Sequence, residues 1–204
     1  MTEVQEKRKQ YPARMFYRAK VVCPSCLQQF DKTADVCERC GFDAHRVVKQ
    51  FPFAAPVLEQ IIDNVGVITP DWRPDLEAAF AGISRRFPQL RFHVCTVELD
   101  DPVKLPEFGF WMMNACRLEA GQEEIDRAWS MLILVDVKRG LISLTPGYAL
   151  EAFIEDGAWE DALRQVSESL AEGDFRSGLL GLMKHAQRLL VLAAELAKRK
   201  VEKP

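Results

Sequence analysis

The sequence predicts an α/β domain preceded by a small module held together by cysteines, and three observations carry that prediction. Met131-Leu132-Ile133-Leu134-Val135 is apolar on consecutive residues, so both faces of that strand must be covered, as in a layered α/β structure rather than a half-solvated hairpin. Helical stripes lie on either side of it in the chain, the clearest being Leu76, Phe80, Ile83 and Phe87. Near the start, Cys23-Pro24-Ser25-Cys26 and Cys37-Glu38-Arg39-Cys40 form two C-x-x-C turns ten residues apart.

A chain of 204 residues, 48% of them hydrophobic, can bury a full core and leaves room for one appendage. The net charge of −3 is unevenly spread: residues 1–20 carry six Lys/Arg against two Asp/Glu, which leaves −7 on the remainder. The expected division is a basic arm over residues 1–20, a cysteine module over 21–50 and an α/β domain over 57–195. No terminal segment has the apolar core of a signal peptide, and the apolar runs near Met131 and Leu189 are too short to span a bilayer. A cytoplasmic protein with no transmembrane segment is therefore expected.

The paired turns of Cys23, Cys26, Cys37 and Cys40 are the most specific signal in the chain. Zinc takes four soft ligands in a tetrahedron, and two C-x-x-C turns supply a closed shell, which means a structural site. Phe30, Val36 and Phe42 are the few apolar residues available to cover it, so the ion, contributing roughly 10–16 kcal/mol in small modules, substitutes for a core. Disulfides are disfavoured without an export signal, and a redox centre needs one such turn at a helix start rather than two facing each other. The expectation is a zinc ribbon, with His45 beyond the second turn as a surface residue. In the arm, Lys7, Arg8, Lys9, Arg14, Arg18 and Lys20 with Tyr11, Phe16 and Tyr17 suit a nucleic-acid phosphate surface, but Glu3, Glu6 and the ribbon's own acids dilute that signal.

Phe51-Pro52-Phe53-Ala54-Ala55-Pro56 is too apolar for a loose linker and is expected to pack between the modules. A short helical piece over Leu58–Ile62 and a brief strand over Val65–Ile68 follow, and Thr69-Pro70-Asp71 reads as a helix start. The stripe from Leu76 to Phe87 faces a sheet. Leu90 to Leu99 is a strand with Phe92 and Val94 on one face and Cys95, Val97 and Leu99 on the other. His93 within it, on the Cys95 face, reads as a core or edge residue with one hydrogen bond, and Cys95 and Cys116 as small buried hydrophobes. Phe108, Trp111, Met112, Ala115 and Leu118 mark the next stripe, and Glu119–Asp126 a loop.

Gly140 lets Leu141–Thr145 return antiparallel to the central strand, until Pro146-Gly147 stops it and a helical pattern takes over. Trp159, Leu163, Val166 and Leu170 define a helix that Gly173 ends. The last helix carries Phe175, Leu179, Leu182, Met183, Ala186, Leu189, Leu190 and Ala193 on one side. Leu180, Val191 and Leu192 fall off that stripe, which points to a second buried face against the ribbon or a partner chain, including self-association through this helix. Lys198-Arg199-Lys200 meets the negative pole of the helix dipole.

No phosphate-binding loop, dinucleotide fingerprint, nucleophile elbow or zinc-protease motif is present. What remains are acids where strands or helices end: Asp63, Asp136, Glu151 and Asp156. Such ends are where ligands bind in α/β sheets, and carboxylates suit a hard cation, but on the residues alone capping ranks above a metal site.

Asp63-x-x-Gly66-Val67-Ile68, Gly147-Tyr148-Ala149-Leu150-Glu151 followed by Asp156, and Gly173-Asp174-Phe175 with Gly178-Leu179 together resemble the TPM domain family over residues 57–195. The resemblance implies a three-layer α/β/α sandwich with a small mixed sheet, and calcium binding and acid phosphatase activity for some members. Two positions depart from the family pattern: Arg139 stands where an acid is common, and Asn64 replaces the second acid of the opening motif. A cation beside the acids disfavours binding another. The expected function is therefore an interaction or assembly module that binds a protein partner without efficient catalysis. The alternative is a divalent-metal-dependent acid phosphatase-like hydrolase.

Overall fold

The strands and helices of the computed structural model stack in three layers, and it describes residues 20–31, 34–51, 54–100, 103–118, 127–150 and 156–201. In chain order they are β1 (Lys20–Val22), β2 (Gln29–Asp31), α1 (Ala44–Gln50), β3 (Val57–Leu58), β4 (Ile61–Asp63), α2 (Arg73–Arg86), β5 (Arg91–Val97), α3 (Leu105–Ala115), β6 (Arg117–Leu118), β7 (Ser130–Asp136), β8 (Leu141–Pro146), α4 (Asp156–Ala171) and α5 (Phe175–Val201). The principal sheet runs β4-β5-β7-β8; its first three strands are parallel and β8 returns antiparallel, with Leu132 opposite Thr145 and Ile133 opposite Leu144.

Every residue of β7 is buried, as an apolar run on consecutive residues requires. Its alternate side chains enter two different cores. Phe92, Val94, Met131, Ile133 and Val135 meet Leu76, Phe80 and Ile83 of α2, Trp159, Val166 and Leu170 of α4, and Leu179, Leu182, Met183 and Leu190 of α5. On the opposite face Cys95, Val97, Leu132 and Leu134 meet Leu105, Trp111, Met112 and Met113 of α3. Each such side chain contributes roughly 1.5–3 kcal/mol by leaving water. This is the mixed α/β/α sandwich the sequence predicts. Two glycines set its close approaches: a Cβ on Gly109 of α3 would overlap Thr145 Oγ1 of β8, and one on Gly147 would overlap the carbonyls of Arg127 and Ala128.

The stretch before α2 departs from expectation. Residues 58–62 are not helical; they form the ends of β3 and β4, and β3 pairs in parallel with β6 through Val57–Arg117 and Leu58–Leu118. Residues 65–68 are not a strand. The Asp63 carboxylate accepts from the backbone N–H groups of Gly66, Val67 and Ile68, and this wraps the chain into a bend, with Gly66 at φ +80°. The helix then starts at Arg73 rather than Pro70, after a turn in which the Thr69 carbonyl accepts from Trp72 and Arg73. Pro74 decides this: in a helix begun at Pro70 it would sit inside and clash with the preceding turn, whereas in the first turn its missing N–H costs nothing.

A turn over Tyr148–Leu150, not a helix, follows Gly147; residues 151–155 lie outside the described residues, and α4 runs over Asp156–Ala171. Gly173, at φ +79°, ends α4 with its N–H on the Leu170 carbonyl and the Asp174 N–H on the Ser169 carbonyl, while Asp174 Oδ1 accepts from Ser177 to open α5. Leu180 and Leu189 of α5 pack against the apolar cluster of that face, but Leu192 and Leu196 are 56% and 54% exposed beyond Leu190, the last buried residue of α5 among those described. The cysteine module lies against the opposite face of the sheet, so it is not what covers them. The basic arm to residue 19 and the expected loop Glu119–Asp126 lie outside the described residues.

Candidate metal centre

The two C-x-x-C turns share one backbone geometry. In the first, Leu27 N–H donates to the Cys23 carbonyl and Cys23 N–H to the Gln28 carbonyl, both at 2.9 Å; in the second, Gly41 N–H donates to Cys37 at 2.8 Å and Cys37 N–H to Phe42 at 2.9 Å. The residue after each second cysteine is left-handed, Leu27 at φ +57° and Gly41 at φ +71°. Both turns thus aim two sulfurs at a common centre. Cys23 Sγ lies 3.6 Å from Cys40 Sγ and Cys26 Sγ 3.8 Å from Cys37 Sγ, and all four fall within 4.8 Å of one another. A tetrahedron with metal–sulfur bonds of about 2.3 Å has edges of about 3.8 Å, whereas a disulfide needs about 2.05 Å. The spacing fits a metal ion and not a disulfide pair.

Burial is graded across the cluster: Cys23 and Cys37 are buried, Cys26 is half-buried and Cys40 is exposed. Burial pushes the Cys23 thiol up to about 12, against the N–H groups of Cys26 and Ser25 that favour its thiolate. At Cys40 slight burial acts upward too, but the Phe42 N–H and the thiols of Cys23, Cys26 and Cys37 outweigh it and pull it down to about 7. Four thiols this close share few donors, and a cation is what lets all four ionise together. His45 is exposed and serves through its backbone, donating N–H to Asp43 Oδ1 at 2.8 Å to cap α1.

The module has no separate core. Cys23, Cys37, Phe42, Val47 and Phe51 belong to the same apolar cluster as α3 and the inner residues of β5 and β7. Phe42 stands edge-on to Phe110 at 5.4 Å, and Phe51, the first residue of the expected connector, packs 5.4 Å from Phe108 and 5.5 Å from Trp111, while Pro52 and Phe53 lie outside the described residues. The Lys104 ammonium donates to the Ser25 hydroxyl at 3.0 Å and carbonyl at 3.2 Å, tying the first turn to the start of α3. Between turn and helix lies a cleft of about 210 Å³ bordered by Ser25, Cys40, Asp43, Gln50 and Glu107.

Asp63 and Asp136 end β4 and β7 on the carboxyl side of the sheet, with β5 between them. Asp63 is level with Thr96 and Val135, one residue before Asp136, so the two carboxylates point to opposite faces of the sheet. Each is already engaged. Asp63 takes its three backbone donors at 2.8–3.2 Å and the Thr96 hydroxyl at 2.5 Å. Burial would raise its carboxyl, but Thr96 and then Ile68, Gly66 and Val67 outweigh it and hold it below the usual carboxylate value. Asp136, fully buried, accepts from Arg139 Nε at 2.5 Å and from Arg139 N–H at 3.2 Å, while Arg139 Nη1 donates to the Val103 carbonyl at 2.9 Å. Asn64 turns its amide to Cys95 Sγ at 3.8 Å. Glu151 and the side chain of Asp156 lie outside the described residues. Among the described residues only the four cysteines gather closely enough to hold an ion.

His93 is 2% exposed; its Nδ1–H donates to the Glu59 carbonyl at 2.9 Å, and Nε2 has no hydrogen-bond partner among the described residues. Burial lowers its basicity, the Glu59 carbonyl works against that, and Arg91 and Arg127 add to it. Burial raises Cys95 to about 12 and Cys116 to about 11, which makes both poor nucleophiles. Sequence reasoning missed Thr96, Lys104 and Arg127, whose guanidinium holds the Met113 and Cys116 carbonyls at the end of α3. A buried Thr at a strand end and an Arg after a helix are signals that could have found two of them.

A layered α/β/α domain with a four-thiol module packed on one face is the class these observations define. The family model described as the TPM domain, TPM_phosphatase, matches residues 61–189, and the chain belongs to that family. The chain is similar to the solution structure of the N-terminal domain of a Corynebacterium glutamicum protein: 14% identity, TM-score 0.49, covering 64% of this chain and 78% of that one. It is also similar to the N-terminal domain of a P. gingivalis protein: 15% identity, TM-score 0.49, covering 71% of this chain and 87% of that one. No curated protein matches.

Proposed function

We propose that this TPM-domain protein is a zinc-ribbon interaction or assembly module that works in the cytoplasm and does not catalyse efficiently. Zinc is structural in this reading: four thiolates close its shell and leave no position for substrate. Residues 1–20 form an arm, 21–50 the ribbon and 57–195 the TPM-like domain that presents a surface to a protein partner. The observation that carries the reading is the engagement of the acids: Asp136 is paired with Arg139, and Asp63 is committed to Thr96 and three backbone donors. Hydrolysing a phosphate ester calls for cationic help and an activated water or nucleophile. Arg139 stands where calcium would gain most from Asp136, and like charge disfavours a second cation there.

The printed family name carries the word phosphatase, and this keeps a divalent-metal-dependent hydrolase as the second reading. Calorimetric titration with calcium, together with a phosphatase screen, decides between them. Millimolar or absent binding in the parent, with binding gained in Arg139→Asp, supports the module. Tight parental binding, or turnover abolished by Asp63→Asn, puts the hydrolase first.

A further inference from the structure

We propose that Cys40 is the oxidant-sensitive member of the thiol cluster, the residue at which a hydroperoxide attacks, and that it then closes on Cys23. This inference rests on the metal reading above. The four sulfurs are chemically alike but not equally reachable. Cys23 and Cys37 are 0% and 1% exposed and sit in the apolar cluster beneath α3, whereas Cys40 is exposed and borders the cleft rimmed by Ser25, Asp43, Gln50 and Glu107. That rim is polar, so a small polar oxidant approaches Cys40 through water while the other face of the cluster stays dry. Oxidation follows thiolate character and exposure; in the ionised cluster all four sulfurs are thiolates, so exposure is what singles out Cys40.

The Cys40 sulfur attacks one oxygen of the hydroperoxide; the S–O bond forms, the O–O bond breaks, and the alkoxide or hydroxide leaves and takes a proton from water. The Cys23 thiolate, 3.6 Å away, then attacks the sulfenic sulfur; the S–S bond forms and hydroxide leaves. Two thiolates have given two electrons to the peroxide, which ends as water, or water and an alcohol. Cys26 and Cys37, 3.8 Å apart and less accessible, stay reduced. With two of four ligands spent, the cluster releases its ion, and Cys23 changes partner inside the apolar cluster that α3 shares.

The test uses the full chain loaded with zinc. Sub-stoichiometric hydrogen peroxide is added, zinc release is followed with a chromogenic chelator, and disulfides are mapped by peptide mass spectrometry; a parallel iodoacetamide time course ranks the thiols. The expected result is a first disulfide between Cys23 and Cys40, one zinc released per disulfide, and alkylation of Cys40 about ten-fold faster than that of Cys23 or Cys37. Cys40→His keeps four ligands and removes the exposed sulfur, so peroxide should release its zinc about ten-fold more slowly. A first disulfide between Cys26 and Cys37 or within one turn, or alkylation of Cys40 no faster than of Cys23, overturns the proposal. Should Cys40→His not fold, the parental order of alkylation and the first disulfide decide alone. Protein that purifies with no metal sinks the zinc reading instead, and the order among its four free thiols still decides this one.

Discussion

At the thiol cluster four potential anions crowd within 4.8 Å and share only a few N–H donors, whereas at the carboxyl end of the sheet Asp63 and Asp136 each meet donors of their own. The difference lies in what each site lacks. The cysteines have geometry without compensating charge, which is the condition for recruiting a cation. Asp136 has a guanidinium and Asp63 has a bend of backbone amides, so the chain itself supplies what an ion would supply. Acids at strand ends are therefore a weak sign of a metal until their partners are known, while two paired C-x-x-C turns are a strong one, because nothing else in a chain answers four thiolates.

Removing one ligand attacks that comparison most heavily. Cys37→Ser should cost the ribbon its metal, worth roughly 10–16 kcal/mol in small modules, and unfold it. The sequence reading has the ribbon and the body on separate cores, but the structure joins them in one apolar cluster, so the damage should spread. Uncovering Phe42 and Val47 costs roughly 3–6 kcal/mol, or a fall of roughly 6–24 °C in the melting temperature of the body. Calorimetry with and without chelator measures this, and an unchanged body transition would return the ribbon to independence.

The acid end is tested by breaking its pair. Arg139→Met leaves Asp136 fully buried without its ion pair, at a cost of about 3–5 kcal/mol in urea unfolding. Adding Asp136→Asn should recover much of that loss. A cost below about 1 kcal/mol, the range of exposed pairs, would mean that Arg139 does not neutralise the acid and that the contrast between the two ends fails.

Acid sharpens the contrast between groups that are buried neutral and groups that are held charged. His93 is less basic folded than unfolded, so the unfolded chain binds its proton first; stability is full above the ordinary imidazole value of 6.5 and falls as pH drops below it. Asp63 is more acidic folded than unfolded, so its contribution is present above 3.8 and is lost as pH falls further. Urea midpoints between pH 7.5 and 3 should decline in two stages. His93→Gln should flatten the first, and a first stage identical to the parent's would assign it to proton competition at the thiols.

Legibility followed the physics of each signal. The β7–β8 hairpin and the ribbon could be read because apolar runs on consecutive residues and fixed ligand spacing depend on few other parts of the chain. Residues 57–68 could not: Val65–Ile68 is apolar enough for a strand, but the Asp63 carboxylate captures its amides, and that competition shows only once Asp63 is placed. Pro74 was readable, since it forbids a helix begun at Pro70, and the reading gave Pro70 the weight instead. The shared core was hidden because Phe42, Val47 and Phe51 lie more than fifty residues from the α3 side chains they pack against.

The smallest effect separates the two cysteine turns themselves. They have the same hydrogen bonds, but Gly41 occupies the left-handed position of the second and Leu27, 62% exposed, that of the first. A leucine there costs roughly 1–2 kcal/mol and covers little apolar surface, whereas glycine pays no steric cost but loses roughly 0.5–1 kcal/mol more in entropy on folding. Leu27→Gly should therefore stabilise the metal-loaded protein by about 0.5–1 kcal/mol, a small rise in melting temperature. Gly41→Ala should lower stability by about 1 kcal/mol, since Ala acquires the strain that Gly avoids. After chelation the turn is no longer held, the strain relaxes, and both differences should shrink toward zero. If Leu27→Gly is equally stabilising with and without metal, hydrogen bonds alone hold the first turn, and the ion is not what pins Leu27 in place.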